Sequence, residues 1–456
     1  MLSAAENQLL TRVGPGTPMG ELLRQYWQPF LRSSDLPERD GRPLRIKLLG
    51  ERLIAFRDSD GGAGLLGENC PHRGASLYFG RNEESGLRCV YHGWKFDTVG
   101  RCTDKPNEPP EGRGTACRAP ADKVRQTAYP CLERGGVIWA YMGPSAPKVP
   151  PPLPDLEWNM VPEDHCYLAL RVQECNWTQV MEGEIDSSHA GFLHTRLNEE
   201  KDVEVGLQRG GSRGLLYKMR DRHPRFETLD TEYGVAIAAR RAAEEDSYYW
   251  RITQFLMPFF TLIPPYGNDP VFGGHVWVPI DDELTLSFGF SYHPTKPLPA
   301  QERGFGLGFD GRGVEGLHPS PDVFLPPSSE PYGQFRPRIN AGNDYSIDWD
   351  AQRNERFSGL PGLWPQDAAC QESMGRIYDR SQEHLGMSDS GIIRARRRLM
   401  LAAKALREQG ATPPGVESPE AYRVRSAAVV LSRSTGWTDG AHQQMQATPG
   451  VNHSAA

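Results

Sequence analysis

Apolar and polar positions alternate through residues 43–66, "PLRIKLLGERLIAFRDSDGGAGLL", and Gly and Asp pairs interrupt the alternation at short intervals. That pattern predicts short antiparallel strands joined by tight turns. The same grain runs on through "GLRCVYHGWKFDTVGRC" and "GGVIWAYMGP", so the first third of the chain is predicted to be a small β module of about a hundred residues. Six prolines in the sixteen residues 143–158, "GPSAPKVPPPLPDLEW", then mark a stiff linker or boundary.

The period changes beyond it. In residues 174–194, "ECNWTQVMEGEIDSSHAGFLH", Trp177, Met181 and Ile185 recur every four residues and predict a helix with one apolar stripe. Strand-like runs follow in "YGVAIAARR", "SYYWRITQFLMPFFTLI", "GHVWVPI" and "LTLSFGFSYH". A terminal helix is signalled by Ser388 or Asp389 as N-cap, by basic residues along "SDSGIIRARRRLMLAAKALREQG" and by Gly410 past its end. The last residues, 433–456, are polar and small and are expected to be disordered. The fold class expected is therefore α+β, a small all-β part followed by a larger part with an antiparallel sheet and helices.

Composition narrows the function. A formal charge of -7, from 51 basic and 58 acidic residues, supplies no field for nucleic acid or an anionic membrane surface. Neither a signal-like start nor a long apolar run is present, and a cytoplasmic protein is expected. Eight cysteines in 456 residues are too few for a disulfide scaffold. Six of them, Cys102, Cys117, Cys131, Cys166, Cys175 and Cys370, lack a partner at ligand spacing and read as small buried side chains.

The other two stand beside histidines: Cys70-x-His72 and, after sixteen intervening residues, Cys89-x-x-His92. Two thiolates and two imidazoles suit a tetrahedral zinc or a Rieske [2Fe-2S] cluster, with two Cys on one iron and two His on the other. The single residue between Cys70 and His72 is tighter than zinc-finger spacing, and each half carries one Cys and one His. The segments "CPHRGA" and "CVYHGWKF" resemble the two loops of the Rieske family, which favours iron and sulfide over zinc.

A cluster only carries electrons, and some three hundred residues follow it. In "EGEIDSSHAGFLH", Asp186, His189 and His194 stand at D-x2-H-x4-H. Asp186 and His189 would share a helix face, whereas His189 and His194 lie about 140° apart on a regular helix. Both imidazoles reach one metal only if the helix bends or ends between them, and Gly191 sits in that gap. Read as a helix face, Gln179, Glu182, Asp186 and His189 form a solvated stripe. Read as an electron acceptor, two His and one carboxylate form the facial triad of non-haem Fe(II) oxygenases. Asp344, Asp348, Asp350 and Asp367 are candidates for that carboxylate. Asp367 is favoured because "QDAACQESMG" begins a further helical stretch and because it matches the pattern of the family named next.

From "LLTRVGPGTPMGELLRQYWQP" through both metal motifs to "QESMGRIYDRSQEHLGMSD", the chain resembles the large subunit of Rieske non-haem iron oxygenases, most of all the phthalate 4,5-dioxygenase branch. The resemblance implies Cys70, His72, Cys89 and His92 on the [2Fe-2S] cluster and His189, His194 and Asp367 on a mononuclear Fe(II). It makes Asp186 the carboxylate that bridges the two centres between neighbouring subunits. It implies a helix-grip catalytic domain at 159–432 behind the linker at 146–158, a Rieske domain at 27–145, and an N-terminal helical segment, 1–26, packed on the catalytic domain. A homo-trimer or stacked homo-hexamer without a β subunit is implied, with a separate flavin and iron-sulfur reductase that uses NADH. The implied reaction is O2-dependent cis-dihydroxylation of an aromatic carboxylate such as phthalate. The alternatives are demethylation or monohydroxylation of a related acid and, from another class, a zinc-stabilised binding protein. For the substrate carboxylate, Arg251 within "SYYWRITQFLMPFF" is the expected cation and Ser187 a hydrogen-bond donor, ahead of Arg213, Arg222, Arg240 and Arg241. The Gly-rich, charged stretch 196–221 is expected to be a flexible loop and a candidate lid.

Overall fold

Tight turns cut residues 43–67 into the strands Leu44–Leu48, Glu51–Arg57 and Ala63–Gly67, which pair antiparallel with Ile46 opposite Leu53 and Ala55 opposite Leu65. Leu49 and Gly50 both take positive φ between the first two strands, the geometry that a two-residue hairpin requires. These coordinates are a computed structural model that describes residues 1–108, 124–144, 149–197, 213–267, 270–299 and 323–447. Ala128–Tyr129 closes that sheet, and a second four-stranded sheet runs Arg81–Glu83, Gly86–Arg88, Lys95–Phe96 and Cys102–Asp104. Between them Ile54, Phe56, Leu66, Leu77, Leu87 and Phe96 form a small core that also holds Cys70 and Cys89. A third sheet sets Val137–Tyr141 between Trp27–Arg32 and Cys131–Arg134.

The larger part is an eight-stranded antiparallel sheet. Its spatial order is Cys166–Gln173, Thr285–Tyr292, Phe272–Pro279, Phe260–Ile263, Ser247–Leu256, Gly234–Ala242 and Arg225–Asp230, with Ala427–Ser432 added beside Ser247–Ile252. The helix Trp177–Ile185 packs on its middle strands and the helix Ser390–Gln409 on Arg225–Asp230 and Gly234–Ala242. Ser390–Gln409 starts at Asp389 and stops at Gly410 in the left-handed region. Two N-terminal helices, Ala4–Thr11 and Pro18–Arg24, lie against it. One continuous apolar core runs from Leu10 through Leu53, Leu65 and Trp139 to Trp158, Phe260 and Tyr422, so the small sheets and the large one share buried surface. Among the described residues no helix is long and apolar enough to cross a membrane.

Several expectations change. The helix from Trp177 ends at Ile185, not 194, because Asp186 leaves the helical region (φ -79, ψ 109). Its polar side is not solvated: Gln179 and Glu182 are buried, and Arg380 and Arg396 hold the Glu182 carboxylate at 3.0 and 2.7 Å. Burial pushes that carboxyl up, but the two guanidiniums outweigh it and hold it below its ordinary range. Residues 433–447 are ordered rather than disordered: Trp437, in the short helix Trp437–Gly440, is buried against Trp250 and Ile252 on the sheet's outer face. The candidate lid is partly the helix Gly214–Arg220, and 198–212 lie outside the described residues. The proline-rich stretch is no free spacer: Leu156 and Trp158 are buried and Trp27 Nε1 donates to Pro151 O at 2.7 Å. Cys102 and Cys175 are buried as expected, but Cys370 is exposed, and Cys117 is outside the described residues.

Candidate metal centres

Cys70–Gly74 and Cys89–Gly93 are two five-residue loops of the same construction. The Gly74 and Gly93 N–H groups donate back to the Cys70 and Cys89 carbonyls at 2.8 and 2.9 Å, and each Cys N–H donates to the residue after its glycine, Ala75 or Trp94, at 2.8 Å. Both glycines sit at φ +77, a conformation that side chains rarely adopt. The twin loops bury the two thiols and leave the two imidazoles at the rim, their ring centroids 4.5 Å apart. His72 stacks on Trp94 at 4.4 Å, and Trp94 Nε1 donates to Asn107 Oδ1 at 2.8 Å.

Burial, with the adjacent Cys89 thiol, pushes the Cys70 thiol up to about 11, so thiolates here need a cation. His92 Nδ1 is buried without a hydrogen-bond partner, an orphan that a metal bond satisfies. The two thiols neighbour each other and so do the two imidazoles, as two Cys on one iron and two His on the other require. The residues fit a two-iron cluster.

Among the described residues one group of three or more ligating side chains converges within 4.8 Å: His189, His194 and Asp367. After Ile185 the Asp186 carboxylate accepts the Ser188 and His189 N–H groups at 2.6 and 3.1 Å, folding the chain into the short 3-10 turn His189–Gly191 that swings His194 round. The break that brings both imidazoles together is thus at Asp186, and Gly191 lies inside the following turn. His189 Nε2 and His194 Nε2 are 3.1 Å apart, and Asp367 Oδ1 lies 3.6 and 3.3 Å from them. Asp367 comes from the helix Leu363–Ser373, which starts earlier than expected, while Asp344, Asp348 and Asp350 are not in the group.

Each imidazole has an outer partner at Nδ1. Gln366 Oε1 takes the Nδ1–H of His194 at 2.6 Å and is itself fixed by its amide donating to Leu360 O at 3.0 Å. Asp186 Oδ2 lies 3.5 Å from His189 Nδ1, a contact of charge rather than a hydrogen bond. Both Nε2 atoms are left as ligands. Burial favours neutral His189, but the nearby Asp186 carboxylate and the Asp367 charge outweigh it and raise its pKa. Burial likewise opposes an ionised Asp367, and His194, His189 and His275 prevail and lower its pKa. Two imidazoles and a carboxylate in mutual contact fit one divalent cation with open positions. Gln366 carried no signal in the sequence beyond standing next to Asp367.

Beside this group Arg241 donates to Ser187 O at 2.8 Å and to Ser187 Oγ at 3.3 Å. Arg241 and Arg251 face the same side of the sheet, Arg251 opposite Ala239 and Arg241 opposite Tyr249. Arg251 is buried on an inner strand rather than wetted at an edge, and it donates to Pro264 O at 2.7 Å and Tyr249 Oη at 3.2 Å. Neither guanidinium has a carboxylate partner among the described residues. Burial and the charge of Arg251 bring Arg241 down to about 10. Burial pushes the Tyr266 phenol up, yet Arg251, Lys218 and Arg241 pull it down to about 8, the mark of surplus positive charge. Of the weaker candidates, Arg213 pairs with Glu244 at 3.2 Å, Arg240 lies over Tyr248 and Trp250, and Arg222 lies over Phe192.

Residues 26–128 match the family model of the Rieske [2Fe-2S] domain, and residues 140–303 with 329–455 match that of the LigXa C-terminal domain like family. The 3-chlorobenzoate-3,4-dioxygenase oxygenase subunit of Comamonas testosteroni is 38% identical over 454 residues, 98% of this chain and 99% of the relative. The chain belongs to the Rieske non-haem iron aromatic oxygenases. This Rieske oxygenase is also 36% identical to the phthalate 4,5-dioxygenase oxygenase subunit of Pseudomonas putida, over 96% of this chain and 94% of that one. Its fold matches the crystal structure of dicamba monooxygenase bound to dicamba with TM-score 0.54, over 85% of this chain and 99% of that one at 17% identity. As a Rieske oxygenase it carries a [2Fe-2S] cluster and a mononuclear non-haem iron, and as the oxygenase subunit of a multicomponent system it works with a separate electron-donating partner.

Proposed function

We propose that this oxygenase cis-dihydroxylates an aromatic carboxylate such as phthalate. Cys70, His72, Cys89 and His92 hold the cluster, and His189, His194 and Asp367 hold the iron. The observation that carries the substrate class is the pair Arg241 and Arg251: two buried guanidiniums without a carboxylate partner among the described residues, one of them hydrogen-bonded to Ser187, two residues from His189. Buried cations are normally paired, so a site built this way takes an anion from outside.

The bound iron supplies O2 activation at the positions that three protein ligands leave open. The protein's part is positional. Gln366 holds His194 by Nδ1, and Asp186 fixes the turn that aims His189. The arginines draw in the carboxylate and so orient the ring, with Ser187 braced against Arg241. By family likeness Asp186 also bridges the two centres across a subunit contact. The active unit is then a ring, a trimer or two stacked trimers without a β subunit, reduced by a flavin and iron-sulfur reductase that uses NADH.

The test is NADH-driven O2 uptake with a compatible reductase across benzoates, phthalates and methoxybenzoates, with products analysed under labelled O2. A diol carrying two labelled oxygens is expected. Formaldehyde release from a methoxybenzoate would instead make the protein a demethylase, and no turnover of any aromatic acid would overturn the reading. Arg241→Met should raise KM for the best acid about 100-fold, the effect of losing a hydrogen bond to a charged group.

A further inference from the structure

Lys105, Pro106 and Asn107 strap the Cys89–Gly93 loop from outside, and none of the three belongs to either ligand set. Asn107 Oδ1 accepts Trp94 Nε1 at 2.8 Å, and Pro106 closes on Gly93, where a Cβ would lie 2.4 Å from the proline ring. The Lys105 ammonium stands 4.6 Å from the centre of the Trp94 ring. Lys105 is only 8% exposed, although lysines ordinarily keep the ammonium in water. A strap that served packing alone would gain nothing from burying a cation.

What lies across the indole gives that cation a use. The His72 ring stacks on Trp94 at 4.4 Å with the two planes 5° apart, so the imidazole takes one face of the indole and the ammonium takes the other. The charge is therefore at most about 9 Å from the centre of the His72 ring. An aromatic ring rather than water fills the gap, and the field is not screened as it would be at a surface. Arg88, tied to the same loop through Gly93 O at 2.7 Å, is matched by Glu83 at 2.8 Å and Asp104 at 2.7 Å. At an effective dielectric of about 20, a unit charge about 10 Å away changes a one-electron equilibrium roughly tenfold.

We propose that Lys105, seated on Trp94 by this strap, raises the reduction potential of the cluster that His72 ligates. Reduction adds one electron from the donor partner to the cluster and neither makes nor breaks a bond to Lys105, so a fixed positive charge nearby favours the reduced form. Trp94 and Asn107 are positioning residues in it. The proposal rests on the assignment of His72 to the cluster.

Spectroelectrochemical titration of the holoenzyme, followed by the visible absorption of the cluster, tests it. Lys105→Met should lower the ratio of reduced to oxidised cluster at a given potential about tenfold, a fall of about 59 mV in the midpoint. Lys105→Arg keeps the charge and should stay within about twofold of the parent, and Lys105→Gln carries the test if Lys105→Met does not fold. An unmoved or raised midpoint in a neutral variant that keeps its cluster, or an equal fall in Lys105→Arg, overturns the proposal alone. If His72→Ala keeps the absorption and midpoint of the parent cluster, the ligand assignment falls and this proposal with it.

Discussion

The two metal-binding regions are built by opposite strategies. The proposed cluster ligands fall within residues 70–92, and each pair is set by a five-residue loop whose shape comes from one glycine and two backbone hydrogen bonds. The proposed iron ligands come from two distant stretches: His194 and its outer partner Gln366 are 172 residues apart and meet only because the helices Trp177–Ile185 and Leu363–Ser373 pack together. A local site can be copied along a chain as a motif, whereas a distributed one exists only when the whole domain is folded.

The largest effect that sharpens this contrast is expected at Asp186, which belongs to the distributed site by position but makes its own local turn. Asparagine can still accept the Ser188 and His189 N–H groups, so Asp186→Asn should fold and keep both metals. Turnover should nevertheless fall 10- to 100-fold, as is usual when an outer carboxylate of a metal-bound histidine is lost. Iron and acid-labile sulfide analysis beside steady-state O2 uptake checks this, and unchanged turnover would reduce Asp186 to a turn residue.

A smaller effect separates the twin loops from each other. A Cβ at Gly74 meets nothing within 4 Å, so Gly74→Ala should cost only the left-handed strain, about 1 kcal/mol. A Cβ at Gly93 would overlap Pro106, so Gly93→Ala should cost about 3 kcal/mol. Thermal melts followed by bleaching of the cluster colour give both values. Equal melting points would mean that Pro106 yields freely.

What was legible in the sequence follows the same division. Alternation and turn residues marked Leu44–Gly67, and the Cys and His spacing marked the cluster loops, because both depend on neighbours in the chain. The apolar stripe predicts a helix over 174–194, but the helix stops at Ile185 because the Asp186 side chain competes for the next backbone N–H groups. The strand Arg225–Asp230 passed unnoticed because "RFETLD" is charged and owes its conformation to pairing with Gly234–Ala242. The order of 433–447 rests on Trp437, whose packing against Trp250 no local pattern announces. Arg251 stands out as a charge among aromatics, whereas Arg241 ranks only among the weaker candidates, since its approach to Ser187 is set by sheet register.

We propose that one chain holds two metal centres that assemble independently, a cluster in local loops and an iron in a distributed triad. Metal and sulfide analysis of purified His189→Ala tests it most directly. The variant should retain the visible absorption and acid-labile sulfide of the cluster while losing the mononuclear iron and all turnover. Loss of the cluster together with the iron, or full iron content after the substitution, would contradict it.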